Sequence, residues 1–284
     1  MKPAPLTYLR PESVDQALEQ LAMADGDAKL LAGGQSLVPL LNLRMARPDV
    51  LVDIGRLSVL DFIKEHDGAV VIGATTTQRT VELSPLAAER CPLIGQALHH
   101  VGHLQIRNRG TIGGSLAHAD PAAELVCAAV ALEATLTVVG VDSTREVSAA
   151  DFFIGPYMTV LGESEILTEI SFPATGDPAA YAEFARREGD FAMAGIAAIC
   201  GQDPATGVVS RARLVATGVG PVPQRMAAAE SVLYGEPLSP GSIAAAVRAG
   251  ADEVDPQSDD QADAGYRRRL VAALISHALE KIRL

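Results

Sequence analysis

Residues 105–124 read QIRNRGTIGGSLAHADPAAE, and residues 32–37 read AGGQSL. Each stretch holds a Gly-Gly pair beside side chains able to hydrogen-bond: Gln35 and Ser36 in the shorter, Thr111 and Ser115 in the longer. Glycine lets the backbone take φ > 0 and leaves no Cβ to keep a ligand away. Consecutive N–H groups in such a turn converge on an anion. One pair alone reads as a tight turn between elements. Two of them, Ala32 to Ser36 and Thr111 to Ser115, suggest two sides of one elongated phosphate ligand.

The composition sharpens this reading. The chain has 284 residues, 48 % hydrophobic and 20 % charged, which is globular material near the size at which one core gives way to several. A formal charge of −12 argues against a nucleic-acid surface or an anionic-membrane anchor. Phosphate binding on so acidic a chain depends on local donors, chiefly backbone amides. Cys91, Cys127 and Cys200 are far apart and too few for an iron–sulfur cluster. Cys127 and Cys200 stand in apolar text and read as inert core. The opening residues MKPAPLTYLRPESVDQ carry no signal-peptide pattern, and no run approaches a membrane span, so a cytoplasmic location is expected.

Periodicity sets out the elements around the two loops. Val14, Ala17, Leu18 and Leu21 predict a helix after Ser13, and Lys29–Leu31 a strand running into the first loop. Leu37 to Met45 predicts a short helix behind it, and Val50–Ile54 a second strand. Strands at 60–65 and 69–72 flank a turn at 66–68. Helical text runs over 77–83, 93–101 and 122–132, with strands at 134–139 and 165–170. The prolines of 173–178 mark a domain boundary. Beyond them, strands at 193–200 and 210–217 precede helices at 224–233, 242–253 and 266–282, an α+β order.

Several chemistries are excluded by motif. No G-x-x-x-x-G-K-[ST] is present, no G-x-G-x-x-G opens a helix after a strand, and G-x-S-x-G and H-E-x-x-H are absent. His99, His100 and His103 cluster without a neighbouring carboxylate or thiol, so a polar helix face is preferred to a metal site. No metal ligand and no catalytic side chain is assigned.

The quoted residues resemble a known family. Ala32 to Leu37, with Arg44 and Pro48 downstream, is similar to the first FAD-pyrophosphate loop of the flavin-binding medium subunits of molybdenum hydroxylases, the carbon monoxide dehydrogenase and xanthine dehydrogenase group. Gln105 to Glu124 is similar to their second loop. The likeness continues through Gly189-Asp190-Phe191-Ala192, Arg225, Glu230 and Gly235, and so spans essentially the whole chain.

The resemblance implies an α+β protein with the FAD-binding fold of the vanillyl-alcohol-oxidase (PCMH) type. Two α/β subdomains, 1–57 and 58–175, hold FAD between them, and a C-terminal α+β domain, 176–284, closes over the ring. It implies that Ala32, Gly33, Gly34, Gln35, Ser36 and Leu37, with Thr111, Ile112, Gly113, Gly114, Ser115 and Ala119, bind the pyrophosphate and ribityl regions. Glu124 matches an acidic position contacting the cofactor, Leu167 an apolar position near the flavin or adenine, and Phe191 a position close to the isoalloxazine. The chain departs from some relatives where they carry a lysine before the segment matching Arg186-Arg187. A flavin contact from either arginine, or a solvated strand end, are both open there.

The resemblance further implies one subunit of three. A small subunit with [2Fe-2S] clusters would pass electrons to FAD here, and a large molybdopterin subunit would oxidise CO, a purine or caffeine, a nicotine-type N-heterocycle or an aldehyde. A dimer of such heterotrimers is expected. The alternatives are a stand-alone FAD-dependent oxidoreductase of the same fold and a docking subunit that has lost FAD.

Overall fold

The computed structural model describes residues 2–24 and 27–283. The first layer is a three-stranded parallel sheet, order β1-β3-β2, made of β1 (Thr7–Leu9), β2 (Ala28–Leu31) and β3 (Val50–Asp53). Helix α1 (Val14–Met23) starts where Ser13 Oγ accepts the Gln16 N–H, and it buries Ala17, Leu18 and Leu21 against this sheet. The first glycine loop leaves the carboxyl end of β2 and enters α2 (Leu37–Asn42). Ligands in sheets of parallel strands lie beyond that end.

The second layer is a five-stranded sheet, order β4-β5-β10-β6-β7, antiparallel at every pairing. Its strands are β4 (Ile63–His66), β5 (Ala69–Gly73), β6 (Thr135–Gly140), β7 (Ser143–Ser148) and β10 (Ile166–Pro173). Helices α3 (Gln78–Glu82), α4 (Pro85–Arg90), α5 (Pro92–His100), α6 (Leu104–Arg107), α7 (Ile112–His118) and α8 (Glu124–Ala131) cover it. The short helix α9 (Ala149–Phe152) leads into the hairpin of β8 (Phe153–Gly155) and β9 (Met158–Thr159). Helix α8 is buried at each of its eight residues, enclosed between this sheet and the next.

The third layer is a four-stranded antiparallel sheet of β11 (Ala179–Phe184), β12 (Ala194–Gln202), β13 (Val209–Thr217) and β14 (Gln224–Arg225). Helices α10 (Ala227–Leu233), α11 (Pro240–Glu253) and α12 (Ala264–Arg283) cover one face with their own core. Tyr181, Ala197, Ile199 and Val215 face the other way and join the core of the second layer. No helix among the described residues is long and apolar enough to cross a membrane.

Some elements differ from the sequence expectations. The largest difference is α7: the second Gly-Gly pair forms the first turn of a helix rather than an open loop. The strand expected at 60–65 begins at Ile63, after a 3₁₀ turn over Ser58–Leu60. The helix expected from Gln224 begins at Ala227, because Gln224 and Arg225 pair with Ala216 and Val215 as β14.

Candidate FAD site

The two glycine stretches meet. A Cβ placed on Gly33 would fall on the backbone carbonyl of Arg109 and lie 2.9 Å from Gly110 Cα. A Cβ on Gly114 would lie 3.6 Å from Ala32 Cβ. Segments 32–37 and 109–115 are therefore in contact, as two walls of one candidate site.

The walls differ in what they offer. In the first, Gly34 has φ +74°, a backbone conformation suited to glycine. The N–H groups of Gly33, Gly34, Gln35, Ser36 and Leu37 donate to no acceptor among the described residues, and these five residues are half-buried. A run of unpaired amides beside a positive-φ turn is an anion-binding nest. The Gln35 side chain folds back, Nε2 donating to the Gly33 carbonyl at 3.1 Å, and steadies the turn.

In the second wall the amides are already used. Ile112 N–H donates to the Thr76 carbonyl, Gly113 N–H to the Ala74 carbonyl, and Gly114 N–H to Thr111 Oγ1 at 3.0 Å. Thr111 is thus the N-cap of α7, a role Thr commonly fills, and its hydroxyl keeps a proton to donate. Neither Gly113 nor Gly114 has positive φ. Gly113 is required because a Cβ there would collide with Ala74. The second stretch therefore contributes close packing and a helix N-terminus, and the first contributes the free donors.

The remaining expected residues fall into distinct places. Ala119 ends α7 in the left-handed region at φ 52°, is buried, and accepts the Tyr157 N–H on its carbonyl at 2.9 Å. Leu167 is buried in β10 at a bulge; its neighbour Thr168 accepts the Ala74 N–H, and Ala74 in turn accepts from Gly113. The bulge is therefore braced against the second wall. Phe191 is 58 % exposed, in the segment between β11 and β12. That segment reaches the approach to the second wall, since a Cβ on Gly189 would touch the His103 ring. Arg186 and Arg187 are exposed on it and lie outside the preceding strand.

Glu124 opens α8 and is 6 % exposed. Burial, reinforced by the charges of Glu183 and Asp120, pushes its carboxyl up to about 8. Its proton is held in the folded chain and released from the unfolded one at neutral pH. Folding stability from this group is therefore complete below the ordinary glutamate value and declines as pH rises towards about 8.

Three features of the site were not singled out from sequence. Asp120 orders the turn between α7 and α8: its Oδ1 accepts the Ala122 N–H at 2.9 Å and its Oδ2 the Tyr157 hydroxyl at 3.3 Å. Gln78 is buried beside Gly110, with its side-chain oxygen unpaired. Arg267 is buried and donates to the carbonyls of Met193 and Gly218 and to Asp259. The Gly218 N–H and Thr217 Oγ1–H both donate to the Pro121 carbonyl, so the clamp ties the C-terminal sheet to the Glu124 turn. The DPAAE text around Asp120 was a visible signal; Arg267, on a helix of mixed polarity, offered none.

The three histidines do not converge. His100 faces Glu183 with Nδ1 3.5 Å from Oε1, and His103 lies under Gly189. No group of three or more potential metal ligands occurs among the described residues. All three cysteines are buried and free, and burial pushes Cys91 and Cys200 up to about 11 and Cys127 further.

Comparison with known proteins names the ligand that such a site takes. Residues 4–175 match the family described as the FAD binding domain in molybdopterin dehydrogenase, and residues 179–282 match the CO dehydrogenase flavoprotein C-terminal domain. The chain belongs to the FAD-binding medium subunits of the molybdenum hydroxylases. It is 39 % identical to the nicotine 6-hydroxylase medium subunit of Paenarthrobacter nicotinovorans over 98 % of each chain. It is 37 % identical to the carbon monoxide dehydrogenase medium chain of Hydrogenophaga pseudoflava, covering 98 % of this chain and 97 % of that one. The crystal structure of quinoline 2-oxidoreductase from Pseudomonas putida 86 superposes with a TM-score of 0.95 at 33 % identity, over 99 % of this chain and 98 % of that one.

FAD is accordingly the cofactor of this oxidoreductase subunit, and the residues fit it. The nest at 33–37 suits a pyrophosphate, and Gly33 lets it stand directly against the Arg109 backbone carbonyl. With this frame, Arg225, Glu230 and Gly235 of the sequence resemblance take structural parts. The Glu230 carboxylate accepts the Leu214 N–H at 2.9 Å and pairs with Arg225 at 2.7 Å, while Gly235 turns the chain at φ 82°.

Proposed function

We propose that this medium subunit is the electron outlet of a heterotrimeric molybdenum hydroxylase, assembled as a dimer of heterotrimers in the cytoplasm. A small subunit carrying [2Fe-2S] clusters delivers electrons, and a large molybdopterin subunit oxidises the substrate. FAD supplies a group that accepts electrons singly and releases them in pairs to an external acceptor. The observation that carries this reading is the amide nest at 33–37, closed by 109–115, in a chain matching subunits named medium along its full length.

The chain's own residues then bind and orient. The amides of Gly33 to Leu37 hold the pyrophosphate, and Thr111 keeps α7 in place so that Ser115 borders the same cradle. Ala119, held left-handed, ends α7 on the cofactor side, and Glu124 contacts the cofactor from the start of α8. Leu167 packs on the adenine or flavin side, and Phe191 closes over the ring from its exposed segment. We divide the chain at 1–57, 58–175 and 176–284 on this basis. The parallel, five-stranded antiparallel and C-terminal sheets fall in those three segments, and the family matches break between 175 and 179.

The large subunit selects the substrate, so CO, purine or caffeine, nicotine-type N-heterocycle and aldehyde belong in one panel. A tagged copy recovered from its native cells is expected to bring down iron- and molybdenum-containing chains, with FAD bleached by one substrate of the panel only in that assembly. A chain that isolates alone and turns over substrate with an added acceptor would instead make it a stand-alone oxidoreductase.

A further inference from the structure

The hairpin of β8 and β9 closes on a turn that its sequence does not favour. Gly155 pairs with Met158, which leaves Pro156 and Tyr157 as a two-residue turn. Tyr157 has φ 57°, in the left-handed region. A turn position with positive φ ordinarily takes Gly or Asn, because a bulky side chain is strained there. Such strain persists only where surrounding bonds hold it, and it points to a role for the residue. Tyr157 is 59 % exposed, so filling a core is not that role.

The bonds that hold it run to the turn between α7 and α8. The Tyr157 N–H donates to the Ala119 carbonyl at 2.9 Å, and the hydroxyl to Asp120 Oδ2 at 3.3 Å. The ring lies 5.1 Å from that of His118, the last residue of α7. Ala119 is itself left-handed at φ 52°, so two strained residues are joined by one hydrogen bond. Ala119 and Asp120 are buried. Among the described residues, Tyr157 is the one donor to the Ala119 carbonyl and to Asp120 Oδ2.

The turn gripped in this way carries two parts of the molecule. On one side is α7, which begins at the second wall, with Gly113 against Ala74 and Gly114 near Ala32. On the other side is the C-terminal sheet. The Pro121 carbonyl accepts the Thr217 hydroxyl at 2.7 Å, at the end of β13, and the Gly218 N–H at 2.9 Å. Arg267 then ties the Gly218 carbonyl to that of Met193, two residues beyond Phe191. A continuous run of contacts therefore joins Tyr157 to segment 185–192. That segment rests against the approach to the second wall, where Gly189 meets His103.

We propose that Tyr157 is a positioning residue: by holding the turn at 119–121 it sets the C-terminal layer over the cofactor site. It acts through Ala119, Asp120 and Pro121. The proposal rests on the reading above, in which FAD is held by its pyrophosphate at 33–37 and segment 185–192 covers its flavin half. The second wall has its own support in the Ala74 and Thr76 carbonyls. Loosening the turn therefore frees the cover and leaves the pyrophosphate grip in place. A ligand held by its pyrophosphate alone is indifferent to Tyr157, and one that also reaches under the cover is not.

The test compares the full chain with Tyr157→Gly and Tyr157→Phe. Tyr157→Gly suits the positive φ and removes the whole side chain, whereas Tyr157→Phe removes only the hydroxyl. In the cofactor-free proteins, amide hydrogen exchange at 185–192 should quicken at least about 5-fold in Tyr157→Gly, with exchange at 110–115 unchanged. In titrations, Tyr157→Gly should bind FAD about 10-fold more weakly and ADP as tightly as wild type. Tyr157→Phe should shift both readouts in the same direction by less, and it carries the comparison should Tyr157→Gly not fold. Unchanged exchange at 185–192, or unchanged FAD affinity, would overturn the proposal and leave Tyr157 a turn residue only. FAD and ADP weakened by equal factors would also overturn it, since the second wall would then have moved. ADP that fails to bind wild type would instead overturn the pyrophosphate reading, with hydrogen exchange still deciding the role of Tyr157.

Discussion

Gly33→Ala yields a folded protein that purifies without yellow colour. The added methyl falls on the Arg109 carbonyl, which is backbone and cannot swing aside. Either 32–34 withdraws from 109–110 and opens the cradle, or the nest amides lose their common direction. We expect FAD affinity to fall by at least about 100-fold, equivalent to roughly 3 kcal/mol. Denaturant unfolding should change far less, since the first layer keeps its own core. Gly95→Ala is the matched control: a Cβ there meets nothing within 4 Å, and alanine favours helix α5. Its FAD absorbance should equal wild type. A Gly33→Ala chain with full flavin content would show that the two walls are not held in contact by this glycine.

Arg267→Ala should be the most destabilising single change in the C-terminal layer. It removes a buried guanidinium and leaves the Met193 and Gly218 carbonyls and the Asp259 carboxylate without their donor. Leaving a buried acceptor without its donor costs about 1–3 kcal/mol, against a total of about 5–15 kcal/mol for a typical domain. Asp259→Asn should cost much less, because that side chain is half exposed. The acid branch provides a second reading. The Arg267 guanidinium holds the Asp259 carboxyl down to about 2. Its contribution is fully present above the ordinary aspartate range and is lost as pH falls towards about 2. Urea titrations from pH 5 to 2 should show this extra acid sensitivity in wild type and its absence in Arg267→Ala. Equal midpoints for the two proteins at pH 7 would contradict the clamp.

What the sequence discloses follows the strength of local signals. Helix α1 shows itself through Ser13 and a clean apolar stripe, β12 through a continuous apolar run, and β13 through the apolar residues 214–216 near its end. Strand β7 does not: STREVS is polar, and only its alternate residues touch the sheet from an edge position. Strand β11, AAYAEF, is rich in helix formers and becomes a strand only because β12 pairs with it. Helix α4 was legible in principle, since Ser84 caps it and Pro85 occupies its first turn.

The site follows the same rule. Gly113-Gly114 argues against helix by propensity, yet α7 forms there because Thr111 caps it and Ala74 leaves room for no side chain. The contact between the two walls was guessable from chemistry alone. Which wall would keep its amides free was not, because that depends on the carbonyls of Ala74 and Thr76, supplied from another part of the chain. The protonation of Glu124 was equally hidden, since its cause is the burial of α8 between two sheets.

The central claim is that the amides of residues 33–37 hold the cofactor through its pyrophosphate. Calorimetric titration of the cofactor-free chain with FAD, ADP and riboflavin tests it most directly. The account predicts that ADP binds and competes with FAD, that riboflavin binds far more weakly than FAD, and that Gly33→Ala loses both ADP and FAD binding. Riboflavin binding as tightly as FAD, with ADP unable to compete, would contradict it.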